Sequence, residues 1–281
     1  MPRIGIVCDS TCDLGPTWLK EHDVVMVPLK VNFGETTYLD WLDLTPDAFY
    51  EKLAASDVLP KTSQPSPADF GTVYRRLADE GCTDIVSIHL TSALSGTMES
   101  ALMAAKMAPV PVVAIDTLTV SMGLGLAVIA AVEARDAGGD AAAIEAAVRH
   151  VVDTGRIFFA LDTLDYLVKG GRAGKAQGLA ASVLNIKPVL TFNREGIIEP
   201  YKKVKGTKKA LAEIAAAAAD VGPGRVRVGV LHAQAPELAK DLVAEIEALG
   251  IDFELVHTVE VGAVIGTYAG PGAVGAVFYP L

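Results

Sequence analysis

The stretch Asp84-Ile85-Val86-Ser87-Ile88-His89-Leu90 runs directly into Thr91-Ser92-Ala93-Leu94-Ser95-Gly96-Thr97, and together they decide the fold. The first half is a short apolar run, the second a hydroxyl-rich loop, and Met98 to Met107 then follows a helical pattern. The same grammar recurs twice. Ile4-Gly5-Ile6-Val7-Cys8 leads into Asp9-Ser10-Thr11, and Val110-Pro111-Val112-Val113-Ala114-Ile115 leads into hydroxyls and a further helix. Apolar runs without alternation are buried on both faces, which in a chain that alternates strands with helices implies a parallel sheet. Ligands of such sheets bind beyond the strand C-termini, where the loops converge.

Working outward, the helix starts are legible. Thr45-Pro46 and Ser66-Pro67 each set a capping hydroxyl before a proline at the first helical position, and Asp69 completes a capping box with Ser66. Phe70, Val73, Tyr74 and Leu77 then form the core face of a helix reaching about Glu80, which leaves Thr62 in the loop before it. Thr119 to Arg135 and Ala141 to Val152 are helical and are joined by Asp136-Ala137-Gly138-Gly139-Asp140, a glycine stop and an Asp cap. The first domain is expected to close near residue 153.

Beyond that point the pattern changes. Ile157 to Leu161 reads as a strand and Thr163 to Val168 as a short helix, and Asn193-Arg194-Glu195-Gly196 between Val189–Phe192 and Gly196–Val204 is a hairpin signal. Helical Thr207 to Ala219, strand Arg225 to Leu231, helical Pro236 to Leu249 and strand Asp252 to His257 follow. The expectation is an α/β protein of two domains, residues 1–153 with a parallel sheet and residues 154–281 with a mixed one.

Composition narrows the function. The chain has 281 residues, 51% hydrophobic and 21% charged, which excludes a disordered or collagen-like protein. A net charge of −10 argues against nucleic-acid partners, which need a basic surface. The run Tyr201-Lys202-Lys203-Val204-Lys205-Gly206-Thr207-Lys208-Lys209 opposes that average; it reads first as a solvated strand end and helix start, and secondarily as a transient contact for an anionic membrane surface. The three cysteines, Cys8, Cys12 and Cys82, without a secretory leader, suggest reduced thiols and a cytoplasmic setting. No Cys or His completes a zinc set around Cys8 and Cys12, so no metal is expected. Thr117 to Val132 is uncharged over 16 residues, short of a bilayer span, and reads as a buried helix.

Two hydroxyl-rich segments, Lys61 to Pro67 and Thr91 to Thr97, each precede a helix N-terminus and together form a candidate site for one small anion. Thr62 and Ser95 could each simply cap a helix; their shared position beyond the same sheet edge favours binding. A phosphate loop fails at Gly171-Arg172-Ala173-Gly174-Lys175-Ala176, where Lys169 occupies the first glycine position and Ala176 replaces the magnesium-binding hydroxyl. Gly123-Leu124-Gly125 lies within a helical pattern and is no dinucleotide fingerprint. A hydrolase or transferase acting on a small anion, with Ser95 as nucleophile, His89 or His232 as base and Asp116 as orienter, is the alternative; Ser95 lacks the Gly-x-Ser-x-Gly elbow, and His89 sits inside an apolar strand as a structural histidine would.

Seven motifs in order resemble the DegV family of bacterial lipid-binding proteins, the fatty-acid-binding subunits of fatty acid kinase. They are Ile6 to Leu14, Tyr38-Leu39-Asp40, Lys61 to Pro67, Ser87 to Leu90 with Leu94 to Thr97, Leu164 to Arg172, Leu184-Asn185-Ile186-Lys187-Pro188 and Gly270-Pro271-Gly272-Ala273. The resemblance implies a protein without catalytic activity or cofactor that holds one long-chain fatty acid and presents its carboxylate to a separate kinase. It implies carboxylate-binding roles for Thr62 and Ser95, beside Gly96, and polar positions near the head group for Arg172 and Asn185. The family often carries His two residues before the Gly-Pro-Gly turn; this chain carries Tyr268. The acyl tail is expected between packed helices of the C-terminal domain, reached past Arg172 and Asn185.

Overall fold

A computed structural model describes residues 3–179, 186–222 and 224–281. The N-terminal half contains β1 (Ile4–Asp9), α1 (Gly15–Glu21), β2 (Val24–Val27), β3 (Lys30–Phe33), β4 (Thr36–Leu39), α2 (Pro46–Ala54), β5 (Lys61–Ser63), α3 (Pro67–Asp79), β6 (Asp84–His89), α4 (Thr97–Ala105), β7 (Val112–Asp116), α5 (Met122–Asp136) and α6 (Ala141–Thr154). The C-terminal half follows with β8 (Arg156–Ala160), α7 (Asp165–Lys169), β9 (Ile186–Phe192), β10 (Ile198–Lys205), α8 (Thr207–Ala216), β11 (Val226–His232), α9 (Pro236–Ala248), β12 (Phe253–Glu260), α10 (Ala263–Ala269) and β13 (Val274–Pro280).

Strands β2-β1-β6-β7 form the parallel sheet, with Ile6 opposite both Val24 and Val86. Strands β10-β9-β8-β13-β11-β12 form a mixed sheet in which only β11 and β12 run parallel. The two sheets share a middle layer. α5 touches β1 and β6 on one side and β11 and β13 on the other, and α6 likewise reaches β6, β7 and β13. A helix packed on both sides has no face to leave polar, which explains the uncharged run Thr117 to Val132. Residues Met122 to Val132 of α5 are all buried. No helix among the described residues is long and apolar enough to cross a membrane.

The outer layers are amphipathic helices. α3 and α4 cover the far face of the parallel sheet through Phe70, Tyr74, Leu77, Ala101 and Ala104. α8 and α9 cover the far face of the mixed sheet through Leu211, Ile214, Leu242 and Ile246. α3 begins with the capping box read from the sequence, Ser66 Oγ accepting from the Asp69 amide and Asp69 Oδ2 accepting from the Ser66 amide. The hairpin also forms where expected, Phe192 pairing with Ile198 across the Asn193–Gly196 turn.

One layer departs from expectation. β4-β3-β5 make a small antiparallel sheet beside the parallel one, and Thr62 lies in β5 opposite Val31, not in a loop. These strands have three or four residues each, too short and too polar to show alternation. The glycine-rich segment from Gly262 to Gly275 also holds more structure than its composition suggests, a two-turn helix, α10, before β13 enters the centre of the mixed sheet.

Candidate functional site

At the C-terminal end of β1 and β6, a buried chain of hydrogen bonds fixes the loop that follows. Tyr74 OH meets Ser87 Oγ at 2.9 Å, Ser87 Oγ meets His89 Nε2 at 2.7 Å, and His89 Nδ1 meets Asp9 Oδ2 at 3.1 Å. Asp9 Oδ2 also accepts from the Leu90 amide at 2.9 Å. His89 is therefore engaged at both ring nitrogens, and neither bond goes to Ser95. Ser95 Oγ bonds Thr97 Oγ1 at 2.9 Å and accepts from the Thr97 amide at 3.3 Å. Asp116 accepts from the Ser92 and Leu118 amides, and His232 Nδ1 from the Ala235 amide at 3.4 Å. The triad expected for a Ser95 nucleophile is not assembled among the described residues.

A second buried carboxylate sets the opposite wall. Asp40 Oδ2 accepts from Ser10 Oγ at 2.8 Å, and its Oδ1 accepts from the Ala263 amide at 3.0 Å, which ties the start of α10 to the N-terminal domain. Asp13 Oδ1 accepts from the Gly262 amide at 2.9 Å. Both carboxyls are buried. Burial raises Asp40 to about 7 and Asp13 to about 8, against the hydrogen bonds they accept, which favour the charged form. Gly262 is required by packing, since a Cβ there would fall on the Trp41 indole nitrogen.

These anchors bring α10 over β5. Tyr268 OH lies 2.6 Å from Thr62 Oγ1, and the Arg172 guanidinium sits 5.0 Å over the Tyr268 ring. Arg172 Nη1 is itself held by the Gly170 carbonyl at 2.8 Å. Thr62, Ser95, Gly96, Arg172 and Tyr268 all line a single cavity of about 510 Å³. Asn185, the sixth expected position, lies outside the described residues. Gln64, which the sequence reading left unassigned, joins this polar end and donates through Nε2 to Ser100 Oγ at 3.2 Å. A Cβ at position 96 would strike the Gln64 amide, so Gly96 is what lets that side chain lie against the loop.

The rest of the cavity is mainly apolar, with Ser92 and Ser121 also in its wall. Phe159, Leu161, Phe192, Ile198 and Leu231 come from the inner face of the mixed sheet, and Leu29, Leu90, Val120, Val261 and Val264 from the opposing side. The expected location among the C-terminal helices is corrected here. The space between α8 and α9 is filled by Ala210, Leu211, Ile214, Leu242 and Ile246, all buried, whereas the cavity lies between the two domains. No group of three or more His, Cys, Asp or Glu side chains suited to a metal exists among the described residues.

The basic run maps to edge strand β10 and the start of α8. Lys202 pairs with Glu213 Oε2 at 2.6 Å, and Lys203, Lys205, Lys208 and Lys209 are exposed. Lysines on an edge strand also discourage pairing with another chain.

Comparison with known proteins places this arrangement. A family model described as an uncharacterised protein of the DegV family matches residues 3–281. A DegV domain-containing protein of Streptomyces coelicolor is 39% identical over 277 residues, 98% of each chain. The structure of a DegV family protein from Thermus thermophilus, described for its fatty acid binding, superposes with a TM-score of 0.93 at 37% identity, covering 99% of this chain and 100% of that one. A stearic-acid-binding protein from Eubacterium ventriosum superposes with a TM-score of 0.89 at 28% identity, covering 99% and 98%.

Proposed function

The chain belongs to the DegV family, and from that membership and its cavity we propose that it binds one long-chain fatty acid, tail in the apolar part and carboxylate at Thr62 and Ser95. The observation that carries this reading is the polarity of the cavity: Thr62, Gln64, Ser95, Arg172 and Tyr268 line one space whose wall is otherwise mostly aliphatic and aromatic. Two relatives of known structure are described as fatty-acid-binding, which supports the ligand class.

The energetics fit that division. Burying a sixteen-carbon tail at ~0.8 kcal/mol per methylene gives an upper bound of about 12 kcal/mol. Each charge-assisted hydrogen bond to the head group adds only ~1.5 to 3 kcal/mol. The tail supplies affinity and the hydroxyls fix its direction. Neutral donors hold a carboxylate without a bidentate ion pair, and this leaves it available for transfer of a phosphoryl group by a separate kinase. We therefore assign the protein the role of a carrier that presents the carboxylate to such a partner and performs no chemistry itself. The exposed lysines of β10 and α8 would serve as a transient contact with an anionic membrane during loading.

Native mass spectrometry of the purified protein, with gas chromatography of an organic extract, tests the binding. A copurifying fatty acid in one-to-one ratio, and a rise in Tm on adding it to stripped protein, are the expected results. Absence of both would falsify the reading.

A further inference from the structure

A second cavity of about 490 Å³ lies behind the first. The two share two lining residues, Ile157 and Phe192. They are arranged end to end along the same elements. On β8, Phe159 and Leu161 line only the first cavity, Gly155, Arg156 and Phe158 line only the second, and Ile157 lines both. The loop between β7 and α5 crosses the same boundary, with Thr117, Leu118 and Thr119 on the far side and Val120 and Ser121 on the near side.

The polar end is at the opposite extreme. The chain passes from Leu161 through α7 to Arg172, which stacks over Tyr268, whereas Ile157 lies four residues back along the strand, roughly 13 Å away at 3.3 Å per residue. Phe192 is set beside Phe159, ring centroids 6.0 Å apart, so its ring closes the cavity at the Ile157 end. Both stop residues are buried, and each also borders the second cavity.

We infer that Ile157 and Phe192 form the end-stop of the acyl cavity and set the longest chain the protein accepts, with the second cavity as unused length behind them. This rests on the fatty-acid reading above. An apolar tail that reaches the stop gains nothing from further methylenes, because they have no wall to leave water against; removing the stop opens a space for them whose wall is mixed, with Leu118, Val151 and Val277 beside the polar Thr117, Thr191 and Glu199. Residues lining only the first cavity lack this property.

The test is a displacement assay with saturated acids from lauric to behenic on the wild type, Phe192→Ala, Ile157→Ala and the control Phe159→Ala. Phe192→Leu is a milder version in case the larger truncation unfolds the protein. The wild type is expected to gain about fourfold in affinity per methylene up to a limiting length and then to plateau or decline. In the Phe192 and Ile157 variants affinity keeps rising past that limit, by less than fourfold per methylene because the space beyond is partly polar, and in Phe159→Ala it stops rising where the wild type does. An unchanged limit in folded Phe192→Leu and Ile157→Ala, or an equal extension in Phe159→Ala, overturns the end-stop. Failure of the wild type to bind any member of the series overturns the fatty-acid reading itself.

Discussion

Replacing Tyr268 by Phe deletes one oxygen and leaves the ring beneath Arg172, so it isolates the 2.6 Å contact with Thr62. Two hydroxyls sharing one hydrogen bond can be ordered either way. If the phenol donates to Thr62 Oγ1, the Thr62 proton is left free for an incoming carboxylate; if it accepts, Thr62 has no proton to offer. Binding a carboxylate therefore selects the first order, and Tyr268 acts through Thr62 as a positioning residue. Thr62→Val removes a charge-assisted bond worth about 1.5 to 3 kcal/mol, roughly ten- to a hundredfold in Kd, with partial exposure favouring the lower figure. Tyr268→Phe removes a neutral bond worth about 0.5 to 1.5 kcal/mol, roughly two- to tenfold. Once residue 62 is valine the Tyr268 phenol has no hydroxyl left to orient, so Kd of the double variant should equal that of Thr62→Val alone. Isothermal titration with palmitate on the four proteins measures the coupling. Two additive losses would mean that Tyr268 contacts the carboxylate independently, and no loss in Tyr268→Phe would remove it from head-group positioning.

Three further outcomes follow from other parts of the molecule. Asp13 and Asp40 carry pKa values raised to about 8 and about 7 in the folded protein against about 4 when unfolded, so the folded state binds more protons between those limits. Their contribution to stability is then greatest near pH 4 and is lost as pH rises to about 8, by up to ~1.4 kcal/mol per pH unit for each group; Asp13→Asn, which keeps an acceptor for the Gly262 amide, should flatten the fall in Tm across that window, and an unchanged slope would count against the assignment. Ser66→Ala breaks the capping box of α3 and should destabilise by ~1 kcal/mol in urea denaturation, with no effect on fatty-acid affinity because Ser66 lies outside the cavity. Gly96→Ala displaces Gln64 from the loop and should cost about one hydrogen bond of affinity, ~1 kcal/mol, at unchanged Tm; a Tm loss comparable to a core truncation would place Gly96 in the scaffold instead.

Much of the architecture could be read from local patterns because those patterns are physical causes. Apolar β1 and β6 are doubly covered, and so show no alternation; α3 begins at Ser66-Pro67 because that pair caps and preorganises a first turn. What stayed hidden depended on which faces meet. Lys61-Thr62-Ser63 becomes a strand only because Val31 and its neighbours present an edge to pair with, and nothing in three residues announces that. The cavity was misplaced for a related reason: Ile157, Phe159 and Phe192 point to one side of the mixed sheet and Phe158 and Val189 to the other, and the sequence does not say which side is left unfilled. Thr62, Ser95, Gly96, Arg172 and Tyr268, scattered over 207 positions from 62 to 268, line one cavity because the loop after β6 opens onto it and α10, whose start is tied to Asp40, brings Tyr268 to Thr62 in β5.

That convergence makes the site a property of the domain junction. Thr62 and Ser95 belong to the N-terminal half and Arg172 and Tyr268 to the C-terminal half, while the tail wall is divided between Leu29, Leu90 and Val120 on one side and the mixed sheet on the other. Neither half alone encloses a ligand. Among the hydrogen bonds that join the two halves, Asp13 to Gly262 and Asp40 to Ala263 are buried away from the cavity, and Thr62 to Tyr268 lies at its wall. The first two involve wholly buried carboxyls and resist exchange with water; the last is half-buried and shares its atoms with the proposed carboxylate site. A carboxylate that accepts the Thr62 proton leaves the donation from Tyr268 in place, so head-group binding and this tie between the two halves share one ordered hydroxyl pair.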